Sequence, residues 1–133
     1  MMRQTVLIVD DQPQVRRLLR QILDRDGYRV LEAEDETSAL TAIRHRTVDL
    51  ALIDIELPGP NGRQVAAALR REGIMESVFI TGLDPAQLIA DGRLCESDPL
   101  VRKPFTVAGV MGVVHAALKP RANGAWSGEL KVS

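Results

Sequence analysis

Residues 48–54 read VDLALID, an apolar run that is broken only by Asp49 and closed by Asp54. A strand with one face in water alternates apolar and polar side chains, whereas a strand covered on both faces is apolar almost throughout. The run therefore predicts a central strand of a parallel sheet with helices on both sides. The segment PGPNG at residues 58–62 then interrupts regular structure before the next helix.

Short apolar runs alternate with segments of helical period along the rest of the chain. The other strands are predicted at residues 5–9, 28–31, 77–81 and 99–102. Apolar residues at helical spacing indicate five helices: Val15, Leu18, Leu19, Ile22 and Leu23; Ala39, Leu40 and Ile43; Val65, Ala68 and Leu69; Leu88 and Ile89 in a short segment from 85 to 93; and Val110, Val113, Val114, Ala117 and Leu118 after an N-cap at Thr106. This alternation predicts an α/β fold with a five-stranded parallel sheet, doubly wound.

The composition is that of one globular domain. The chain has 133 residues, of which 45% are hydrophobic and 26% charged. Its 17 Lys and Arg against 18 Asp and Glu give a net charge of -1, which does not favour a nucleic-acid partner. The first apolar run is too short to span a membrane, so we expect a cytoplasmic protein. We expect residues 1–119 to form the domain and residues 120–133, which include Trp126, to form a flexible tail.

Polar side chains follow three of the predicted strands. The pair Asp10 and Asp11 follows the first strand, Asp54 follows the third, and Lys103 follows the fifth. The carboxyl ends of parallel strands share one edge of a sheet, so these side chains are expected to converge. Clustered carboxylates repel one another unless a cation lies among them, and Mg²⁺ suits an all-oxygen site. The pattern predicts a site for a metal and an anionic group.

Each of these signals is weak alone, but they occur in a specific order. The acidic pair comes first, Asp54 precedes Leu57-Pro58-Gly59 and Asn61-Gly62, Thr81-Gly82 follows the fourth strand, and Lys103-Pro104-Phe105 follows the fifth. In this combination the chain closely resembles the receiver domains of two-component response regulators, the CheY-like superfamily, over about residues 5–118. The resemblance implies a flavodoxin-like fold with strand order 2-1-3-4-5 and a stand-alone receiver.

The resemblance also implies a role for each polar residue. Asp54 would accept a phosphoryl group, and Thr81 and Lys103 would sense and neutralise it. The peptide bond between Lys103 and Pro104 would be cis. Transfer to a carboxylate needs an aligned nucleophile and positive charge on the transferred oxygens, which Lys103 and a metal ion supply.

The same resemblance implies a Mg²⁺ site. Asp11 would be a direct ligand, Asp10 would bind the ion partly through water, and Asp54 would be a further ligand. The backbone carbonyl of Glu56 would complete the set. A cation is required because the carboxylate nucleophile and the phosphate are both negative.

Two positions depart from the family pattern. Leu100 stands where many receivers have an aromatic residue that swings inward with the threonine. Phe79-Ile80-Thr81-Gly82 partly resembles a subgroup of receivers that have Phe-Ala-Thr-Gly here and also lack that aromatic residue. This resemblance implies switching in the short fourth helix and its leading loop. Glu56 lies two residues after Asp54. Its side chain either faces the path of the water that hydrolyses the phosphoryl group, and so prolongs the phosphorylated state, or points to solvent.

The leading functional prediction is a phosphoacceptor signalling switch. Its partners would be a sensor histidine kinase or a histidine phosphotransfer protein, and an output protein reached by protein contacts or by onward phosphotransfer. A phosphorylation-linked homodimer is a further expectation, and no nucleic-acid or membrane partner is expected. The protein would be no enzyme beyond catalysing its own phosphorylation and dephosphorylation.

Two other functional hypotheses for the same residues remain open at this point. A small phosphatase of the haloacid dehalogenase type also uses a nucleophilic Asp with Mg²⁺ and Lys, and Glu56 fills the place of its general acid. In that class the nucleophile follows the first strand and a cap domain is present, and this sequence matches neither feature. A scaffold that signals without phosphorylation is the other alternative, disfavoured by the intact set of Asp11, Asp54, Thr81 and Lys103.

Overall fold

A computed structural model describes residues 3–118. Five strands and five helices alternate within this range: β1 Thr5–Val9, α1 Pro13–Arg25, β2 Arg29–Ala33, α2 Glu36–Ala42, β3 Leu50–Asp54, α3 Gly62–Arg71, β4 Ser77–Thr81, α4 Pro85–Ala90, β5 Leu100–Arg102 and α5 Val107–Leu118. All neighbouring strands are parallel, and their order is β2-β1-β3-β4-β5. The predicted architecture and strand order are confirmed.

The central strands are apolar because both of their faces are covered. All five residues of β1 and all five of β3 are buried. Alternate residues pack into two cores: one face of the sheet meets α1 and α5 through Leu19, Ile22, Leu23, Val110 and Val114, and the other meets α2, α3 and α4 through Ala39, Val65, Leu69 and Leu88. Burial of each large aliphatic side chain contributes about 1.5–3 kcal/mol, so these two cores hold the helices on the sheet.

Local polar contacts set where several helices begin. Asp35 and Asn61 each accept a hydrogen bond from the backbone N–H three residues later, in reciprocal capping boxes. Thr106 accepts one from the N–H of Gly109 at 2.9 Å, which fits the predicted start of the last helix. Pro13 opens α1 and Pro85 opens α4, both at positions where the missing N–H has no helical partner.

Two boundaries of the sequence interpretation need correction, and one apolar residue of the first helix is largely exposed. Leu18, one of the apolar residues that predict this helix, is 47% exposed, because the buried stripe of α1 is narrower than the run of apolar residues. The fourth helix ends at Ala90 rather than near residue 93. The third strand begins at Leu50 and includes Asp54 as its last residue, so the sheet holds the backbone of Asp54.

The strand register brings the predicted site residues to one edge of the sheet. Val9 is level with Ile53, so Asp10, which follows β1, lies beside Asp54, which ends β3. Thr81 ends β4 and is level with Arg102, the residue before Lys103. The chain leaves β1 toward β2 and returns to β3 on the other side of β1, and the site lies at this reversal of strand order, where α/β folds place ligands.

None of the helices described between residues 3 and 118 has the length and apolarity needed to cross a membrane. The predicted tail at 120–133 and its Trp126 lie outside the described residues. The domain boundary near residue 119 therefore stays a prediction.

Candidate functional site

Asp54 is the centre of the polar cluster at the carboxyl edge of the sheet. It is 3% exposed. Its Oδ1 accepts a hydrogen bond from the N–H of Glu56 at 2.9 Å, and its Oδ2 accepts one from the Lys103 ammonium at 3.1 Å. The two contacts fix the plane of the carboxylate and leave it anchored from both sides.

Asp10 is fully buried beside Asp54, and only one of its carboxylate oxygens is hydrogen-bonded. Oδ1 accepts a hydrogen bond from the N–H of Gln12 at 2.9 Å, whereas buried Oδ2 has no hydrogen-bond partner among the described residues. Burial raises the pKa of Asp10 to about 6, helped by the negative charge of Asp54 and opposed by the Gln12 hydrogen bond and by Lys103. A buried oxygen without a partner is costly, so this atom is suited to face a cation.

Asp11 completes a group of three acids. One carboxylate oxygen from each of Asp10, Asp11 and Asp54 lies within 4.8 Å of the others. Three converging carboxylate oxygens form a donor set that fits a hard divalent cation. The residues present therefore fit the Mg²⁺ ion that the sequence predicts.

Lys103 reaches into the same cluster from the end of β5. Its Nζ lies 3.1 Å from Asp54 Oδ2 and 3.6 Å from Asp10 Oδ2 and donates a hydrogen bond to Gln12 Oε1 at 3.3 Å. Burial by itself would lower the pKa of Lys103, but the hydrogen bond to Asp54 and the charges of Asp54, Asp10 and Glu56 raise it. The predicted cis bond between Lys103 and Pro104 is present.

Thr81 ends β4 with its side chain fully buried. Its hydroxyl donates a hydrogen bond to Glu56 Oε2 at 2.6 Å and accepts one from the N–H of Leu83 at 2.9 Å. The Gly82 N–H donates to Glu56 Oε1 at 3.2 Å. The side chain of Glu56 thus binds the start of the loop before α4, and the alternative that it points to solvent is wrong. Its predicted effect on hydrolysis stays a prediction.

Two residues that support the site are not among those predicted from the sequence. The Nη1 of Arg16 donates to the carbonyl of Asp10 at 2.7 Å, and its Nε donates to Glu32 at 3.2 Å. Gly62 was interpreted only as a loop residue, yet a Cβ there would lie 2.5 Å from the backbone oxygen of Asp54. Neither contact leaves a periodic signal in the sequence.

Leu100 pairs with Phe79 across β4 and β5 and packs, partly buried, against the core that contains α4. It has neither a ring nor a hydroxyl, and it contributes apolar packing to that core.

The buried charge of Asp10 predicts a stability change in the metal-free protein. The native state binds the Asp10 proton more tightly than the unfolded chain, because burial raises its pKa from 3.8 to about 6. The free energy of unfolding should therefore fall as the pH rises from about 4 to about 6. Asp10→Asn should remove this fall and raise the free energy of unfolding at neutral pH by about 1–2 kcal/mol.

Urea unfolding in the presence of a chelator, repeated across this pH range, measures the effect. Asp11→Asn is the matched control, because Asp11 is exposed and carries the neighbouring carboxylate. An Asp10→Asn protein no more stable than the native protein at neutral pH would contradict the assignment.

Comparison with known proteins supports the same interpretation of this site. The response regulator receiver domain model matches residues 6–115. The DNA-binding response regulator MtrA of Mycolicibacterium smegmatis is 34% identical over 118 residues, which make up 89% of this chain and 52% of MtrA. The transcriptional regulatory protein ResD of Bacillus subtilis is 31% identical over 114 residues, 86% of this chain and 48% of ResD. The chain thus spans about half the length of the curated relatives it matches.

A solved structure extends the comparison to the fold. The chemotaxis protein CheY4 of Vibrio cholerae superposes with a TM-score of 0.78 at 22% identity, covering 88% of this chain and all of CheY4. The similarity to CheY4 shows the fold, and the family match over residues 6–115 with the relatives above 30% identity shows that the chain belongs to the response regulator receiver domain family.

Proposed function

We propose that this chain is a phosphorylation-controlled signalling switch in which Asp54 accepts the phosphoryl group. The observation that carries the proposal is the position of Asp54, 3% exposed, with Lys103 Nζ 3.1 Å from its Oδ2 and two further carboxylates beside it. The proposed donor is a sensor histidine kinase or a histidine phosphotransfer protein, as membership of the receiver family supports.

The arrangement suits transfer to a carboxylate. The Glu56 N–H holds Asp54 Oδ1, so the orientation of the other oxygen is set before the donor arrives. The Lys103 ammonium can move from the Asp54 carboxylate to the phosphoryl oxygens as negative charge develops on them, because the lysine side chain is flexible. Pre-oriented groups of this kind cost little reorganisation during transfer.

The proposed metal ligands are Asp10, Asp11, Asp54 and the backbone carbonyl of Glu56. When bound, Mg²⁺ would supply positive charge between the nucleophile and the phosphoryl oxygens. Buried Oδ2 of Asp10 supports this assignment, because it accepts no hydrogen bond from the described residues and its ionic partner Lys103 lies 3.6 Å away, so a closer cation would satisfy it.

The metal assignment predicts that Asp11→Ala weakens Mg²⁺ binding about tenfold or more, since an ion that requires octahedral oxygen geometry loses a direct ligand. Calorimetric titration of the isolated protein measures the affinity. Glu72→Gln is a suitable control, because Glu72 caps the distant end of α3. Unchanged affinity in Asp11→Ala would show that the metal shell is assigned wrongly.

The proposal also covers the domain boundaries, the location and the partners of the protein. Residues 1–119 would form the receiver and 120–133 a tail, in a cytoplasmic protein that signals to an output partner by contact, by phosphotransfer or through a phosphorylation-linked homodimer. MtrA is named as DNA-binding and ResD as a transcriptional regulator. Those names describe proteins about twice as long as the matched region, and our proposal for this chain includes no nucleic-acid contact.

The test is direct phosphorylation by a small donor. The protein is incubated with acetyl phosphate and Mg²⁺, and the modified residue is mapped by mass spectrometry after trapping of the acyl phosphate. We expect one phosphoryl group on Asp54, and no labelling when Mg²⁺ is chelated before the donor is added. A label on another residue, or none, would contradict the proposed function.

A further inference from the structure

The side chain of Glu56 joins two loops at the edge of the sheet. It follows β3, and its two carboxylate oxygens accept hydrogen bonds from the Thr81 hydroxyl at 2.6 Å and the Gly82 N–H at 3.2 Å. Bonds to an ionised acceptor are shorter and stronger than neutral ones, and the Thr81 bond has that short length. The contact therefore holds the residues that lead into α4.

A hydroxyl has only one proton to donate. Thr81 gives that proton to Glu56 and uses an oxygen lone pair to accept from the N–H of Leu83 at 2.9 Å. Its side chain is also fully buried and has no contact with solvent. Thr81 cannot donate to a phosphoryl oxygen on Asp54 while it donates to Glu56.

We propose that Glu56 is a latch that competes with the phosphoryl group for the Thr81 hydroxyl. The inference rests on the proposed function, in which Thr81 senses the phosphoryl group on Asp54. Phosphorylation then requires an exchange: the hydrogen bond from Thr81 to Glu56 breaks, and one from Thr81 to a phosphoryl oxygen forms. Glu56 acts through Thr81 and is a positioning residue.

The exchange has a consequence beyond the hydroxyl. When Thr81 turns away, Glu56 keeps only the Gly82 N–H, and the longer 3.2 Å bond is the weaker of the two. The loop from Gly82 to Asp84 leads directly into α4, which has only six residues. Opening the latch therefore releases the short helix in which switching is expected with Leu100 in place of an aromatic residue.

A charge-only role for Glu56 is the competing explanation. A carboxylate near Asp54 would repel the phosphoryl group whether or not it bound Thr81. The two explanations differ in their dependence on the Thr81 hydroxyl. A latch loses its effect when that hydroxyl is removed, whereas repulsion remains.

Beryllofluoride provides the probe, because it mimics a phosphoryl group on a carboxylate in the presence of Mg²⁺. Its affinity is measured by titration at saturating Mg²⁺ for the native protein, Glu56→Ala, Thr81→Val and the double variant. Breaking a charge-assisted hydrogen bond before binding should cost about tenfold in affinity, so Glu56→Ala should bind about tenfold more tightly than the native protein. In the Thr81→Val background the same change should have an effect of about twofold or less.

Glu56→Gln keeps the shape and an acceptor oxygen but removes the charge, and it guards against a variant that fails to fold. Its affinity should fall between those of the native protein and Glu56→Ala, whereas repulsion alone predicts that it equals Glu56→Ala. The methyl resonance of Thr81 gives a second readout: without ligand it should report one side-chain rotamer in the native protein and rotamer averaging in Glu56→Ala.

The outcomes separate the latch from the function on which it rests. If beryllofluoride does not bind the native protein, or binds Asp54→Asn equally well, the proposed function fails and the latch fails with it. If it binds the native protein and Glu56→Ala with equal affinity, or if Glu56→Ala tightens binding to the same extent in the Thr81→Val background, the latch alone is overturned.

Discussion

Asp54→Asn is expected to abolish phosphoryl incorporation from acetyl phosphate. An amide is not a nucleophile comparable to a carboxylate, and it removes a ligand of the proposed metal site at the same time. The fold should persist, because Asn is isosteric and its single carbonyl oxygen can still accept the hydrogen bond that Asp54 Oδ1 accepts from the Glu56 N–H at 2.9 Å. Its NH2 group cannot accept the second hydrogen bond, from Lys103. Intact mass spectrometry after a fixed incubation measures the extent of labelling.

Asp49→Asn is the matched control for this prediction. Asp49 belongs to the same stretch of chain, but it lies at the opposite edge of the sheet, where its carboxylate accepts a hydrogen bond from the N–H of Thr5 at 2.8 Å. That variant should be labelled as fully as the native protein. Undiminished labelling of Asp54→Asn, with no neighbouring acid newly modified, would remove Asp54 from the proposed role.

Gly62→Ala is expected to destabilise the protein by about 2–3 kcal/mol, because the added methyl group cannot be accommodated. A Cβ at this position would lie 2.5 Å from the backbone oxygen of Asp54 and 2.8 Å from the Cα of Ile55. Both are main-chain atoms at the end of the central strand, so relief requires moving either α3 or the strand that carries the phosphoacceptor. Urea unfolding measures the loss, and the labelling assay should show slower incorporation in the folded fraction.

Gly112→Ala is the corresponding control within the same protein. Gly112 lies inside α5, and nothing comes within 4 Å of a Cβ built there. Alanine has a higher helix propensity than glycine, so this variant should be more stable than the native protein by about 0.5–1 kcal/mol. A Gly62→Ala variant as stable as the native protein would show that α3 can retreat from the strand without cost.

The pattern of apolar residues was sufficient to predict the sheet. The buried run that ends at Asp54 and the run from Thr5 to Val9 could be assigned to central strands because a strand covered on both faces has no polar positions to spare. The helices were predicted as well, but the apolar pattern of α1 does not show that Leu18 is 47% exposed. Periodicity identifies an apolar face, whereas how much of that face is covered depends on where the neighbouring helix lies.

The convergence of the site could also be predicted, since parallel strands bring their carboxyl ends to one edge and the acidic pair, Asp54 and Lys103 each follow or end a strand. The roles of these residues came from the family pattern and stay predictions until phosphorylation and metal binding are measured. The side chain of Glu56 lay beyond such reasoning. It lies one helix and one strand away from Thr81 in the chain, and only packing brings the two within 2.6 Å.

By itself, the sequence determined the order of elements, the central position of β3 and the edge at which the charged residues meet, because these follow from periodicity and chain connectivity. Only the tertiary structure decided that Glu56 binds Thr81, that Arg16 holds the carbonyl of Asp10, and that α3 lies against the backbone of Asp54 at Gly62. The physical reason is the range of the interactions. Hydrophobic periodicity is a local property of the chain, whereas these contacts require that elements remote in sequence are placed relative to one another to within a few tenths of an ångström.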